Sequence, residues 1–326
     1  MTRHRFEVDV STVAPAGVTT VVGDLHLPDG YRGTPLVLVC CLPGGGMSRR
    51  YFDLQVPDDA GNYSMARHLA RAGFAVATID HPGIGESSRP EDGYELMPRT
   101  IADVDAFAVR HIRAGLVAGT LIDGIDAIDI AATVGVGHSA GAIVTVHLQA
   151  RHRPYDALVL LGFGGRGWRE QLTDAELAVA EDPDAIHAQL AALAHDRFGE
   201  PLPMPKRGSS QLLVAAPMHP DAHAALVDAR TNMLAVLGLS SMIPGSLRPD
   251  IDAIDVPVFV GVGENDIAGP PREIPASLTG CDDITVFVLA GAGHNHNVHA
   301  DREVLWNRTV AWMRSVVPAG SALSIG

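Results

Sequence analysis

Gly137-His138-Ser139-Ala140-Gly141 reads G-x-S-x-G, directly after the apolar run 132–136 and directly before the helical-looking stretch 143–150. A strand that delivers a serine into a helix N-terminus turns so sharply that the serine backbone is strained, and small residues two positions either side let the two elements cross. Gly137 and Gly141 stand at those positions. The hydroxyl is then held on a rigid point above a sheet, with the Ala140 N–H and the helix dipole aimed where an oxyanion would form. The competing reading is a glycine-rich strand-to-helix turn with a surface serine. A nucleophilic serine also needs a general base, and a carboxylate to orient that base. Downstream, the β-branched run 256–262 ends in Gly263-Glu264-Asn265-Asp266, and the run 284–289 leads into Gly291-Ala292-Gly293-His294. Small residues before His294 let it sit at a strand tip, although His296 and His299 follow closely and compete for the role. Glu264 and Asp266 compete for that of the acid. A third place for an acid, after the run 157–161, reads Gly162-Phe163-Gly164-Gly165-Arg166 and holds no carboxylate.

With serine, acid and histidine in that order at strand ends, the chain resembles the α/β-hydrolase family along nearly its whole length. The resemblance implies Ser139 as nucleophile, His294 as general base and Asp266 as the orienting acid at the family's usual strand-end spacing, with Glu264 a solvated loop charge. It also implies a second oxyanion donor beside Ala140, from a glycine-rich loop after an earlier strand. Leu36 to Cys41 is that strand, and Leu42-Pro43-Gly44-Gly45-Gly46-Met47 is that loop. Glycine lets backbone N–H groups approach a ligand with no Cβ in the way. Family members usually open this loop with a histidine; here Pro43 stands in its place, which leaves Gly44 and Gly45 as alternative donors. Asp80-His81-Pro82-Gly83-Ile84-Gly85-Glu86-Ser87 matches the family's D-x-x-G-x-G-x-S loop, whose part is to shape the site entrance, so Asp80 is no triad candidate despite its strand-end position.

The run His294-Asn295-His296-Asn297-Val298-His299 looks like the H-x-H-x-D-H of di-zinc hydrolases, but Val298 occupies the place of the aspartate. Ligating histidines also need partners that orient them, and nothing else in the chain has ligand spacing. No metal and no cofactor is expected, and His296 and His299 are read as histidines behind the site or in solvent.

The chain has 326 residues, 47% of them hydrophobic, which suits one large core with an inserted lid. Its net charge is −14, and among 24 basic residues only Lys206 is a lysine. No basic patch is available for a phosphate backbone, so a nucleic-acid partner is disfavoured, as are polyanionic substrates and acidic membranes. The N-terminal residues lack an apolar leader, and no apolar stretch approaches a membrane span, so a cytoplasmic protein is expected. Of three cysteines, Cys40 and Cys41 are neighbours on a strand and point to opposite faces, so all three are read as reduced. Scarce lysine and abundant alanine suggest a GC-rich bacterial genome.

Alternating apolar and polar residues over 1–30 read as two antiparallel edge strands, and from Leu36 onward continuous apolar strands separated by helices read as a parallel sheet. The expected fold is therefore an α/β-hydrolase fold, with core segments 1–163 and 256–326 and a helical cap, 164–255, inserted between the sixth and seventh strands. Within the cap, Thr173-Asp174-Ala175-Glu176 is a capping box; Asp182-Pro183 opens a helix that ends at Gly199; and Pro220-Asp221 opens a third that runs through Leu226 and Met233 to Gly238. Such a cap would roof the site, with Trp168, Met218, Met233 and Met242 as candidate substrate contacts or, equally, as packing between cap and core.

The expected substrate is a small, neutral, fairly apolar carboxylic ester or lactone, cleaved through an acyl-enzyme. The alternatives are a carbon–carbon bond hydrolase of the same fold, which would want Arg166, Arg169 or Arg230 for a substrate carboxylate, and a ligand-binding relative without catalysis. The exposed N-terminal edge is compatible with a monomer or a homodimer.

Overall fold

The structure is a computed structural model that describes residues 2–57, 63–205 and 218–317. Eight strands form one sheet: β1 (Arg3–Asp9), β2 (Thr20–His26), β3 (Leu36–Leu42), β4 (Ala75–Ile79), β5 (Ile130–His138), β6 (Ala157–Leu161), β7 (Val258–Gly263) and β8 (Ile284–Leu289). Their spatial order is β1-β2-β4-β3-β5-β6-β7-β8. β1 and β2 pair antiparallel, β2 joins β4 antiparallel, and every pairing from β4 to β8 is parallel. Of the two N-terminal strands only β1 is an edge; β2 is covered by β1 on one side and β4 on the other.

The side-chain period of two along β3 splits the core into two layers. Leu36, Leu38, Cys40 and Leu42 face α2 (Pro98–Ala118) and α3 (Ala140–His152), whereas Val37, Val39 and Cys41 face α1 (Met65–Arg71) and α8 (Arg302–Val316). The two adjacent cysteines therefore lie in different layers, both as free thiols, and burial pushes the Cys40 thiol up to about 12. A sheet covered on both faces explains why the central strands are continuously apolar.

Between β6 and β7 the described residues contain no strand and four α-helices: α4 (Asp174–Val179), α5 (Pro183–Phe198), α6 (Pro220–Asp228) and α7 (Ala235–Ser240). Thr173 and Glu176 close the capping box on α4, and Asp182 and Gly199 bracket α5. α4, α5 and α7 share an apolar cluster of their own, whereas α6 packs Ala222 and Leu226 into the α1/α8 layer. The helix expected from Pro220 to Gly238 stops at Asp228. Ala229 O is taken by both the N–H and the hydroxyl of Ser48, Arg230 bridges antiparallel to Met47, and Thr231 N–H donates to Gly46 O, so the chain turns at Ala229 and runs on against the glycine loop. Tertiary pairing overrides local helical preference at this point.

Candidate active site

Ser139 sits between β5 and α3 with φ 54° and ψ −120°, a left-handed backbone that a non-glycine residue keeps only when its surroundings impose it. The surroundings do so through contacts on both sides. A Cβ on Gly137 would run into Ala142 of α3, and one on Gly141 into the carbonyl oxygens of Leu42 and Pro43, so strand, helix and glycine loop cross with no room for a side chain. Ser139 N–H donates to Leu161 O at 2.8 Å, which ties the turn to β6.

At the ends of the next two strands stand Asp266 and His294. His294 Nε2 lies 2.7 Å from Ser139 Oγ, and His294 Nδ1 lies 2.7 Å from Asp266 Oδ1. Asp266 also accepts the N–H groups of Gly263 and Ala268 and, at 2.9 Å on Oδ2, the Nε2–H of His296. Burial favours the neutral acid, but hydrogen bonds from His294 and His296 outweigh it and hold the carboxyl far below the usual carboxylate range. Glu264 faces away, accepting Gly291 N–H at 2.8 Å. Asp80 is likewise engaged elsewhere: its carboxylate binds the Arg49 side chain at 2.5 Å and the backbone N–H groups of Arg49 and Glu86.

Two histidines contribute in ways that the motifs do not disclose. His296, read from sequence as lying behind the site or in solvent, is fully buried and is the second imidazole on Asp266. His138, the variable residue of G-x-S-x-G, donates Nε2–H to His294 O at 2.9 Å and stacks on Tyr51 with ring centroids 4.4 Å apart. Burial, followed by the charges of His294 and His296, holds the His138 imidazole well below the ordinary histidine range, so it stays neutral. His299 is also buried, its Nδ1 accepting Asp301 N–H. Among the described residues no three His, Cys, Asp or Glu side chains converge as a metal set.

Ala140 N–H opens α3 and has no acceptor among the described residues; the same holds for the N–H groups of Gly44 and Gly45. Gly44 packs against His138 and Ser139, while Gly45 lies near Ala140 and Met233. A narrow crevice between Pro43, Gly44, Gly45, His81 and Ala140 adjoins this point.

A cavity of about 80 Å³ opens beside Ser139 and His294 and is walled by Phe163, Trp168, Met242, Leu247 and Ile267. Trp168 and Met242 thus reach the site. Met233 stands over the glycine loop rather than in this cavity, with its Cγ beside Gly45. Met218 is placed elsewhere: it bridges to His299 and packs against the α1/α8 core layer. The arginines that a substrate carboxylate would need are engaged elsewhere. Arg166 pairs with Glu273, Arg169 lies 3.9 Å from Glu181, and Arg230 donates to Pro205 O. No helix of the described residues is long and apolar enough to cross a membrane.

This fold agrees with the comparisons. The family model described as "Alpha/beta hydrolase family" matches residues 36–305, and the chain belongs to that family. No curated protein sequence matches the chain. Among solved structures it is similar to a highly thermostable carboxyl esterase from Bacillus coagulans (17% identity, TM-score 0.63, covering 97% of this chain and 99% of that one). It is also similar to a monoacylglycerol lipase from Paleococcus ferrophilus (18% identity, TM-score 0.61, 97% and 100%) and to an epoxide hydrolase (14% identity, TM-score 0.56, 97% and 100%). At such identities the likeness concerns the fold, and the reaction has to be argued from the site.

Proposed function

We propose that the protein is a serine hydrolase that cleaves a compact, neutral and fairly apolar carboxylic ester or lactone. The observation that carries this reading is the unbroken chain from Ser139 Oγ to His294 to Asp266, with both links at 2.7 Å. Ser139 Oγ attacks the carbonyl carbon as its proton passes to His294 Nε2, and Asp266 stabilises the imidazolium that results. The carbonyl oxygen becomes an oxyanion, received by Ala140 N–H and one N–H of the glycine loop. Collapse breaks the bond to the alcohol oxygen, which leaves with the proton from His294. Water then attacks the acyl-enzyme and gives a proton to His294, and collapse breaks the bond to Ser139 Oγ, which takes that proton back as the acid is released. A serine nucleophile does not serve the aspartyl-ester route of epoxide hydrolases. The insert between β6 and β7 acts as a cap, with Trp168 and Met242 against the substrate. No metal or cofactor takes part in this reading.

The test is hydrolysis of a panel of p-nitrophenyl esters and apolar lactones by the parent and Ser139→Ala. Turnover in the parent that the variant lacks is expected, with the preferred chain length or ring size reporting the cap's selectivity. Equal inactivity of both proteins on every compound would move the assignment to carbon–carbon hydrolysis or to ligand binding.

A further inference from the structure

The glycine loop has no histidine of its own, yet a histidine from a neighbouring loop holds it. His81, just after β4, is buried; its Nε2 lies 3.1 Å from Pro43 O and its Nδ1 2.5 Å from Asp105 Oδ2 on α2. A carbonyl oxygen only accepts, so Nε2 carries a proton. The remaining proton lies along the short contact between Nδ1 and the carboxyl, and whichever atom holds it, Nε2–H still donates to Pro43. Asp105 is fully buried and its Oδ1 has no hydrogen-bond partner among the described residues. Such a carboxyl carries a desolvation cost that a single hydrogen bond does not fully offset. What it achieves is a fixed ring orientation and a fixed donor at Nε2.

That donor is aimed at a sensitive peptide. Pro43 O lies against the first turn of α3, where Gly141 leaves room for it, and the Cα of the next residue, Gly44, packs on His138 and Ser139. The Pro43–Gly44 peptide is therefore held by α3 on one side and His81 on the other. A donor on its carbonyl also polarises the amide, which strengthens its own N–H as a donor. We propose that His81, oriented by Asp105, is a positioning residue for the oxyanion loop, setting the direction in which the N–H groups of Gly44 and Gly45 point. This rests on the serine-hydrolase reading, and His81 itself does not touch the reacting atoms.

The test uses p-nitrophenyl butyrate kinetics, the inhibition constant of phenylboronic acid, whose Ser139 adduct mimics the oxyanion, and thermal melting. His81→Leu is expected to lower kcat roughly 100-fold, on the scale of one lost oxyanion donor, and to weaken boronate binding in step, with KM little changed. His81→Asn, whose short amide still pairs with Asp105 but does not reach Pro43, gives the same loss in a variant that keeps the buried carboxyl partnered. His81→Gln, long enough to reach Pro43, recovers part of both. A lower melting temperature with parental kcat and boronate affinity would make His81 merely structural and overturn the proposal, as would equal behaviour of the Asn and Gln variants. Absence of Ser139-dependent turnover in the parent would overturn the serine-hydrolase reading, and this proposal with it.

Discussion

Adding one methyl group to either of two adjacent glycines separates the roles of the oxyanion loop. A Cβ on Gly44 would stand 2.8 Å from His138 Nδ1, 3.0 Å from Ser139 Cβ and 3.1 Å from His138 O. Ordinary contact begins at 3.4 Å, so Gly44→Ala has to open the gap between loop and elbow by roughly half an ångström. His138 cannot yield easily, being stacked on Tyr51 and bonded to His294 O, and Ser139 is fixed by its turn. The loop is what moves. An oxyanion donor works at about 2.7–3.1 Å, so a shift of that size takes the loop N–H out of range, a loss of about 2.7–4 kcal/mol or roughly 10²–10³ in kcat. At Gly45 the nearest atoms to an added Cβ are Ala140 Cβ and Met233 Cγ, both at 3.9 Å, and no relocation is needed. Gly45→Ala is therefore expected to stay within about threefold of the parent in kcat, as for a substitution that leaves transition-state contacts in place. The assay is kcat and KM on p-nitrophenyl butyrate with a thermal melt for each variant. A parental kcat for Gly44→Ala, or an equal fall for both, would refute the reasoning from the loop's packing.

Two further expectations follow from the buried charges. Asp266→Asn should lower kcat by roughly 10⁴ through the wrong His294 tautomer, and His296→Leu, which leaves the carboxylate its other donors, should cost about 1.5–3 kcal/mol, read as a lower melting temperature and a smaller fall in kcat; equal kinetic losses would contradict the ranking. His138 is kept neutral by the fold but takes a proton near its ordinary 6.5 when unfolded, so below that pH the unfolded chain binds the extra proton and stability falls as pH falls, by about 1.4 kcal/mol per pH unit until the depressed folded value is reached. Melts of the parent and His138→Phe between about pH 7 and pH 5 should show the variant falling less steeply, and parallel slopes would remove His138 as the source.

The parts that local geometry dictates were legible in the chain. Gly137 and Gly141 announce the turn at Ser139 because no side chain fits where β5, α3 and the glycine loop cross, and a strand end that exposes Asp266 or His294 is a matter of a few neighbouring residues. The parallel sheet was legible for the same reason, since strands covered on both faces read as unbroken apolar runs. What escaped reading is long-range. The end of α6 at Asp228 depends on Ser48 and Gly46, and the interior place of β2 depends on β4. The hold of His81 on Pro43 spans 38 positions and has no local signature, whereas for His296, read as behind the site or in solvent, only the choice between the two and its partner Asp266, 30 positions away, had to come from the fold.

Those unannounced histidines show how the site handles charge. The rings of His138, His294 and His296 lie within 6.4 Å of one another, with Asp266 the one carboxylate among the described residues hydrogen-bonded to the group. One negative charge in a buried site supports one positive charge, and a second imidazolium at that range would be repelled. His138 is excluded from that role by its burial and by its neighbours, and its Nε2–H is spent on the His294 backbone. His296 uses its Nε2–H to fix the far oxygen of Asp266, where it makes no hydrogen bond to Ser139. Only His294 lies between an oxygen that can give up a proton, Ser139 Oγ, and an oxygen that stabilises the cation formed, Asp266 Oδ1. In the serine-hydrolase reading, the cluster is thus a means of accepting a single proton at a single nitrogen, and replacing either flanking histidine should disturb where the charge settles before it disturbs where the substrate binds.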